Sequence, residues 1–142
     1  MINNPKTARI IAVVVIAMLV ITLAASLFGC AAAKPSASVS TDPESGLRIV
    51  AVADLPKEAQ ATLKLIDQGG PYQYSRDGVV FGNLEKLLPK HDRGYYHEYT
   101  VTTPGEKDRG ARRIVTGNGG QRYYSDDHYK SFRRITEDGG TS

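Results

Sequence analysis

The chain has 142 residues, which allows one domain of modest size once an N-terminal targeting segment is set aside. Its 18 lysines and arginines nearly balance 15 aspartates and glutamates, leaving a formal charge of +3. The single cysteine, Cys30, lies ahead of the expected domain, which excludes a disulfide inside the domain and a zinc site built on several cysteines.

The first 30 residues are predicted to be a signal peptide or membrane anchor. Lys6 and Arg9 make the start positive, and residues 10–28 are almost wholly apolar. Leu27-Phe28-Gly29-Cys30 resembles the lipobox of bacterial lipoproteins, which makes Cys30 a candidate lipidation site. Three alternatives stay open: a lipoprotein signal, an uncleaved anchor, and a signal cleaved near Ala31-Ala32-Ala33. All three predict a domain that is secreted or held on the outer face of the cytoplasmic membrane.

The rest of the chain divides into a linker, a domain and a tail. Residues 31–48 are small and polar, with two prolines and several serines, and are predicted to form a flexible linker. Residues 49–137 are expected to fold, and residues 138–142 to form a disordered tail.

One helix is predicted over residues 56–68. Pro56 suits the first turn, Glu58 favours the positive end of the helix dipole, and Gly69-Gly70 ends the helix. Three apolar residues recur at helical spacing and should face the core: Ala59, Leu63 and Ile66.

The pattern after the helix is typical of β-strands. Aromatic and β-branched runs separated by turn residues predict five strands: Val79-Val80-Phe81, 95–102, 112–116, 121–124 and 132–136. One helix followed by short strands with hairpin-length gaps predicts an α+β fold, with the helix packed on a small twisted antiparallel sheet.

The strand around Glu98 carries the main functional signal. Side chains alternate along a strand, so Glu98 should share a face with Tyr96 and Thr100. A mid-strand carboxylate is costly to bury without compensation, and Arg109, Arg112 and Arg113 follow after a turn. We therefore expect a surface-accessible Glu98 set among arginines.

Residues 104–134 are locally basic, with eight cationic and four acidic side chains. Such a field favours an anionic partner: RNA, DNA or a membrane surface. The alternative is a solvated basic face.

Three histidines are present. His91 lies in a loop where a surface role is expected, and His97 should point away from its neighbour Glu98. His128 lies in a polar loop between strands, where catalytic groups are often carried. Alone, it would more often be an ordinary surface residue.

Taken together, Glu98, His128 and the arginines suit acid–base chemistry on a phosphodiester. A carboxylate can accept a proton, an imidazolium can donate one, and guanidinium groups bind phosphate oxygens. This set can cleave RNA through its 2′-hydroxyl without a metal, and no cofactor is expected.

From about Leu55 to Ile135 the chain resembles the small secreted bacterial guanyl-specific ribonucleases, of the superfamily that includes barnase. The matching stretches follow the family's order: Leu55-Pro56, Gly70-Pro71, Tyr74-Ser75-Arg76-Asp77-Gly78-Val79-Val80-Phe81, Gly94-Tyr95-Tyr96-His97-Glu98-Tyr99-Thr100-Val101, Thr103-Pro104-Gly105, Arg109-Gly110-Ala111-Arg112-Arg113-Ile114 and Asp127-His128-Tyr129. The resemblance implies the microbial ribonuclease fold. It implies cleavage of single-stranded RNA 3′ to guanosine through a 2′,3′-cyclic phosphate.

The resemblance also implies residue roles. Glu98 would be the general base and His128 the general acid, with Arg109 and Arg113 on the phosphate and Tyr129 beside them.

The family's guanine loop falls on residues 81–85, which we call the base loop. The resemblance implies that Phe81 stacks on the base and that Glu85 accepts from its N1–H and amino group, and Asn83 also matches the pattern. Two positions depart from it: Leu84 stands where relatives carry arginine, and Gly82 replaces a larger residue.

The cysteine pair that ties the ends of some relatives is missing. Closing a loop of that size is worth roughly 3–4 kcal/mol in the chain-entropy model, so we expect a less stable domain.

Two other functions remain as alternatives. The chain could be a catalytically inactive RNA-binding module of the same fold, tethered at the cell surface. Its basic face could instead hold the domain against anionic lipid. The expected partner is RNA, the protein is expected to be a monomer, and the resemblance adds a barstar-like inhibitor as a candidate partner.

Overall fold

The computed structural model describes residues 39–140. The predicted targeting segment with Cys30, the linker up to residue 38, and residues 141–142 lie outside the described residues. Within residues 39–140, no helix is long and apolar enough to cross a bilayer.

The predicted helix is present as α1, Lys57–Gln68. Pro56 lies at the cap position before it rather than inside the first turn. Gly69 ends it in the left-handed conformation, at φ 76°, where its amide and that of Gly70 bond the last helical carbonyls. The helix is therefore ended by the glycine pair as predicted.

All five predicted strands are present, each with bounds shifted by one or two residues. A sixth strand, β1, was not predicted. The strands are β1 Ile49–Ala51, β2 Val79–Val80, β3 Tyr96–Thr100, β4 Arg113–Gly117, β5 Arg122–Ser125 and β6 Arg133–Thr136. They form one sheet in the order β1-β6-β5-β4-β3-β2.

The sheet is antiparallel except at β1, which pairs in parallel with β6. The expected α+β fold, with the helix packed on a small antiparallel sheet, is confirmed; the parallel pairing of β1 with β6 is an addition that was not predicted. β1 is three residues long and its partner strand β6 lies more than 80 residues later, so no local sequence pattern predicts the pairing.

Residues just ahead of β1, within the predicted linker, are also ordered by hydrogen bonds. Thr41 forms a β-bridge with Arg48, and the Asp42 carboxylate accepts from the amide and hydroxyl of Ser45 at 2.9 and 2.5 Å. The amide of Ile49 donates to the carbonyl of Ser40 at 2.8 Å.

Apolar residues are buried on both faces of the sheet. One cluster packs under the helix and contains Leu55, Ala59, Leu63, Val101, Ile114, Tyr124 and Ile135. The other lies on the opposite face and contains Leu88, Tyr96, Val115, Tyr123 and Phe132, with Phe81 and Tyr129 packed against it. This second face also carries Glu98, because Glu98 pairs with Val115 in the sheet register.

Candidate active site

Glu98 lies at the centre of β3, flanked in register by Val79 of β2 and Val115 of β4. Its side chain is only 7 % exposed. Glu98 is therefore much less exposed than the surface-accessible carboxylate that the sequence predicted. The carboxylate lies at the bottom of a cavity, because the loops that follow β2 and β5 rise around it.

Three side chains compensate the buried carboxylate. The Tyr129 hydroxyl donates to Glu98 Oε2 at 2.5 Å, and Arg109 Nη2 donates to Oε1 at 3.3 Å. Arg76 Nε lies 3.7 Å from the same Oε1. Arg109 is itself held by a 2.9 Å bond from its Nε to the Thr100 hydroxyl. These contacts hold the Glu98 carboxylate in a fixed orientation.

Two of the three arginines predicted around Glu98 lie on its side of the sheet. Arg113 pairs with Thr100 in the register and so shares the face of Glu98. Arg112 precedes it by one residue and contacts Glu58 of the helix at 3.6 Å instead. The strand alternation explains this correction.

The Arg113 guanidinium is buried and oriented by the backbone. Its Nη1 donates to three carbonyl oxygens, those of Arg109, Gly110 and Arg112, at 3.2, 2.9 and 2.8 Å. Its Nε donates to the Tyr129 hydroxyl at 3.1 Å. Burial raises the pKa of Tyr129, and the hydrogen bond to Glu98 raises it further. The hydroxyl therefore stays protonated and links the Glu98 carboxylate to the Arg113 guanidinium.

His128 is carried by a tight loop after β5. His128 and Tyr129 both have positive φ, 59° and 68°, a conformation that side chains rarely adopt without support. The Ser125 hydroxyl accepts from the Tyr129 amide and donates to Asp127 Oδ1, both at 3.0 Å. The amide of His128 donates to the Ala111 carbonyl at 3.1 Å. The His128 imidazole is therefore exposed to solvent at the cavity.

Asp127 closes the same loop. It accepts from the amide and hydroxyl of Ser131, at 3.0 and 2.5 Å. Burial by itself would raise the pKa of Asp127, but hydrogen bonds from Ser131, Ser125 and the Lys130 amide hold it below its ordinary 3.8. The carboxylate is thus a fixed acceptor at neutral pH.

The main cavity has a volume of about 610 Å³ and brings most of the predicted residues together. It is lined by Arg76, Val80, Phe81, Gly82, Asn83, Leu84, Glu85, Leu87, Glu98, His128, Tyr129 and Lys130. Arg109 and Arg113 do not line the cavity. They contact its lining residues instead: Arg109 binds Glu98, and Arg113 binds Tyr129. Residues from four separate segments therefore converge on one concave surface.

The base loop is held by Asn83. Its side-chain nitrogen donates to the Leu88 carbonyl at 2.8 Å, and its oxygen accepts from the Leu88 amide at 3.1 Å. Asn83 itself has φ 47°. Since its side chain is occupied inside the loop, Asn83 shapes the loop, and only its backbone is left to meet a ligand.

Phe81 stacks on Tyr129, with ring centroids 5.1 Å apart and planes at 30°. Leu84 is 89 % exposed at the cavity mouth and lies over Gly82, where an added Cβ would be 3.6 Å from its side chain. The two departures from the family pattern are thus neighbours in space.

The other histidines lie away from Glu98, as expected. The His97 ring lies on the opposite side of the sheet, within hydrogen-bond distance of the carbonyls of Gly78 and Gly94. His91 stacks flat on Tyr95 at 3.7 Å.

Arg76 was not predicted as a site residue. It lies just ahead of β2 in the stretch Tyr74 to Phe81 that matches the family, and β2 pairs with β3 next to Glu98. Because the pairing of β2 with β3 could not be predicted from the sequence, the contact between Arg76 and Glu98 was not predicted either.

Comparison with known proteins gives consistent results. A family model described as ribonuclease matches residues 38–136. Guanyl-specific ribonuclease St of Saccharopolyspora erythraea is 58 % identical over 89 residues, covering 63 % of this chain and 88 % of that protein. Guanyl-specific ribonuclease Sa3 of Kitasatospora aureofaciens is 62 % identical over 87 residues, covering 61 % of this chain and 62 % of that protein.

Solved structures of ribonuclease Sa2 are also similar. A structure of its complexes with mononucleotides is 56 % identical with a TM-score of 0.63, covering 67 % of this chain and 97 % of that one. A complex with guanosine-2′-cyclophosphate is 56 % identical with a TM-score of 0.61, covering 63 % of this chain and 96 % of that one.

Proposed function

The chain belongs to the ribonuclease family, and on that premise we propose that it cleaves single-stranded RNA 3′ to guanosine without a metal, using Glu98 and His128. It is an endoribonuclease with guanine preference, by its likeness to guanyl-specific ribonucleases that include one seen with guanosine-2′-cyclophosphate. The single observation that carries the mechanism is the meeting of Glu98 and His128 in one cavity with the base loop.

In the first step, Glu98 takes the proton of the ribose 2′-hydroxyl and O2′ attacks the adjacent phosphorus. The bond to the departing 5′-oxygen breaks, and protonated His128 gives that oxygen its proton. The products are a 2′,3′-cyclic phosphate and a free 5′-hydroxyl. In the second step the roles reverse: His128 takes a proton from water, the water opens the ring, and Glu98 protonates O2′.

Charge on the phosphoryl oxygens would be stabilised by Arg109, Arg113 and Arg76. Arg109 and Arg113 are held in place before substrate arrives, by Thr100 and by backbone carbonyls respectively. Donors that are already oriented cost no reorganisation during the reaction, which makes such contacts effective.

Guanine would be held by the base loop. Phe81 offers a ring face and Glu85 an exposed carboxylate at the wall of the same cavity. Asn83 keeps the loop in the shape that its bonds to Leu88 define. We expect recognition of the base to come from the loop backbone and Glu85.

The experiment uses the full chain and the dinucleotide GpA in the presence of a chelator. We expect cyclic guanosine phosphate to form first, and Glu98→Gln and His128→Gln to lose about 10²–10⁴-fold in kcat. Glu58→Gln and His97→Gln are matched controls, because both residues lie on the other side of the sheet. Native-like activity in Glu98→Gln or His128→Gln would reject the assigned roles.

The same assay tests the alternative of an inactive RNA-binding module. Salt-sensitive binding of RNA by the native chain without cyclic phosphate would favour that alternative over catalysis.

We further propose export of the enzyme, supported by the apolar segment 10–28 and its basic start. Fractionation of the producing cells tests this, with incorporation of labelled fatty acid at Cys30 separating a lipoprotein from a cleaved signal. Retention of the chain in the cytoplasm would contradict export.

A further inference from the structure

Two further cavities lie behind the base loop, with volumes of about 320 and 470 Å³. Gly82 and Asn83 line both of them and also line the main cavity. The base loop is therefore a thin wall between the catalytic residues on one side and these rear cavities on the other.

The rear cavities are edged by cations from residues 86–93, which we call the basic loop. Lys86 and Lys90 line the first and Arg93 lines the second; the His91 ring lines both, and its Nε2 lies 4.0 Å from Glu44 Oε1. Asp92 is the single acidic side chain among the lining residues. The local field therefore favours an anion.

Lys86, Lys90 and Arg93 are exposed, and none of them is ion-paired within the part of the chain that the structure describes. Arg112 is paired with Glu58 and Arg122 with Asp67, whereas Lys57 and Lys64 on α1 have no ion pair among the described residues, like the three cations of the basic loop. The basic loop thus holds three cations whose charge is available to a ligand.

The basic loop is also ordered. The Tyr96 hydroxyl donates to the Pro89 carbonyl at 2.8 Å, and Asn83 binds Leu88 from the other side. The His91 ring lies flat on Tyr95, with planes 7° apart. Cations on a fixed loop lose less entropy on binding a ligand than cations on a mobile one.

We propose that the basic loop binds a phosphodiester of the RNA strand next to the guanosine, forming a second phosphate subsite behind the base loop. The proposal rests on the proposed function, since that function places an RNA strand at the wall that these cavities share. Every nucleotide of the strand carries one negative charge, and lysine binds phosphate as a point charge. The bound phosphate is either the one on the 5′ side of the guanosine or the one that follows the scissile phosphate on the 3′ side, and both supply the same chemistry.

The test compares kcat/KM for GpA with ApGpA, extended on the 5′ side, and with GpApA, extended on the 3′ side. We expect one extended substrate to be cleaved about 5- to 10-fold faster at low salt, in keeping with a phosphate contact. The triple variant Lys86→Gln/Lys90→Gln/Arg93→Gln should lose that gain and cleave GpA at the native rate. The extended substrate that shows the gain identifies the side.

Salt dependence gives a second readout. The slope of log kcat/KM against log salt should fall by about 0.7 per lost phosphate contact in the triple variant. Lys57→Gln/Lys64→Gln is the matched control, because both lysines are exposed on α1, away from the cavities. The control should keep both the gain and the slope.

Binding of trinucleotides with 2′-deoxyguanosine at the cleavage site tests the subsite without catalysis. The triple variant should bind the extended ligand about 5- to 10-fold more weakly than the native chain. Equal binding, or an unchanged preference for the extended substrate in the triple variant, would overturn the subsite. If the native chain fails to cleave GpA, the proposed function is rejected. The comparison of trinucleotide binding by the native chain and the triple variant would then still test the subsite.

Discussion

The Tyr129 hydroxyl is 2.5 Å from Glu98 Oε2, closer than either arginine comes to the carboxylate. The Tyr129 hydroxyl oxygen in turn accepts from Arg113 Nε at 3.1 Å. The Tyr129 phenol thus fixes the distance between the proposed base Glu98 and the Arg113 guanidinium that we propose binds the phosphate.

Replacing Tyr129 with phenylalanine should lower kcat/KM on GpA by about 10- to 100-fold. The variant loses a hydrogen bond to a charged group, worth about 1.5–3 kcal/mol, and leaves Arg113 Nε without its acceptor. Steady-state kinetics measure the loss. Tyr95→Phe is the control, because the Tyr95 hydroxyl bonds Gln121 instead. Activity of Tyr129→Phe within twofold of native would contradict the prediction.

Arg76→Gln should lower kcat/KM by about 10-fold, and the loss should appear in kcat rather than in KM. The reason is that the variant loses an interaction that stabilises the transition state. Arg76 is 64 % exposed and lies 3.7 Å from Glu98 Oε1, which places its charge at the cavity where the phosphate is proposed to bind. Arg122→Gln, whose partner is Asp67, should leave both constants unchanged. A pure KM effect in Arg76→Gln would show that Arg76 binds substrate without favouring the transition state.

Asp127→Asn should destabilise the protein by about 1–2 kcal/mol at neutral pH, since it weakens several hydrogen bonds to a carboxylate. The pKa of Asp127 is lowered in the folded state, so its stabilisation is present above the ordinary 3.8 and lost as pH falls through the folded pKa. Urea unfolding from pH 7 to pH 3 should therefore show the gap between native and variant closing below about pH 4. Asp126→Asn, an exposed neighbour paired with Arg133, should change stability by less than about 1 kcal/mol. A gap that widens on acidification would contradict the assignment.

Leu84→Arg should lower KM for GpA by about 2- to 5-fold. Leucine at the cavity mouth is 89 % exposed, whereas a planar guanidinium there can stack on the base and attract the phosphate. Leu87→Arg, on the wall of the same cavity, controls for charge alone. Equal gains from both variants would show that charge, rather than stacking at residue 84, limits binding.

A disulfide between residues 51 and 139 should stabilise the protein. A Cβ built on Gly139 lies 3.3 Å from the Ala51 Cβ, just under the usual spacing of about 3.5–4.5 Å. Closing a loop of this length is worth up to about 4 kcal/mol in the chain-entropy model, less the strain of a side chain at φ 72°. Urea unfolding of Ala51→Cys/Gly139→Cys, oxidised and reduced, measures the gain. Equal stability in both states would contradict the prediction.

The helix and five strands could be predicted because each has a local pattern. Pro56, the glycine pair after α1 and the alternation around Glu98 are examples. The base-loop residues and Tyr129, in contrast, were expected only from the resemblance to the guanyl-specific ribonucleases. Strand β1 and the role of Arg76 in the site were not predicted, because both depend on which strands pair. Pairing between strands that are distant in sequence produces no local sequence pattern. Burial of Glu98 was underestimated for a similar reason: the loops that cover it come from distant parts of the chain.

The pairing of β1 with β6 brings the two ends of the described chain together. The amide of Ile49 bonds Ser40, and a Cβ at Gly140 would lie 3.3 Å from that of Ser40. β2 and the cavity occupy the opposite edge of the sheet. A circular permutation that joins residues 39 and 140 by a few residues should therefore leave the cavity intact.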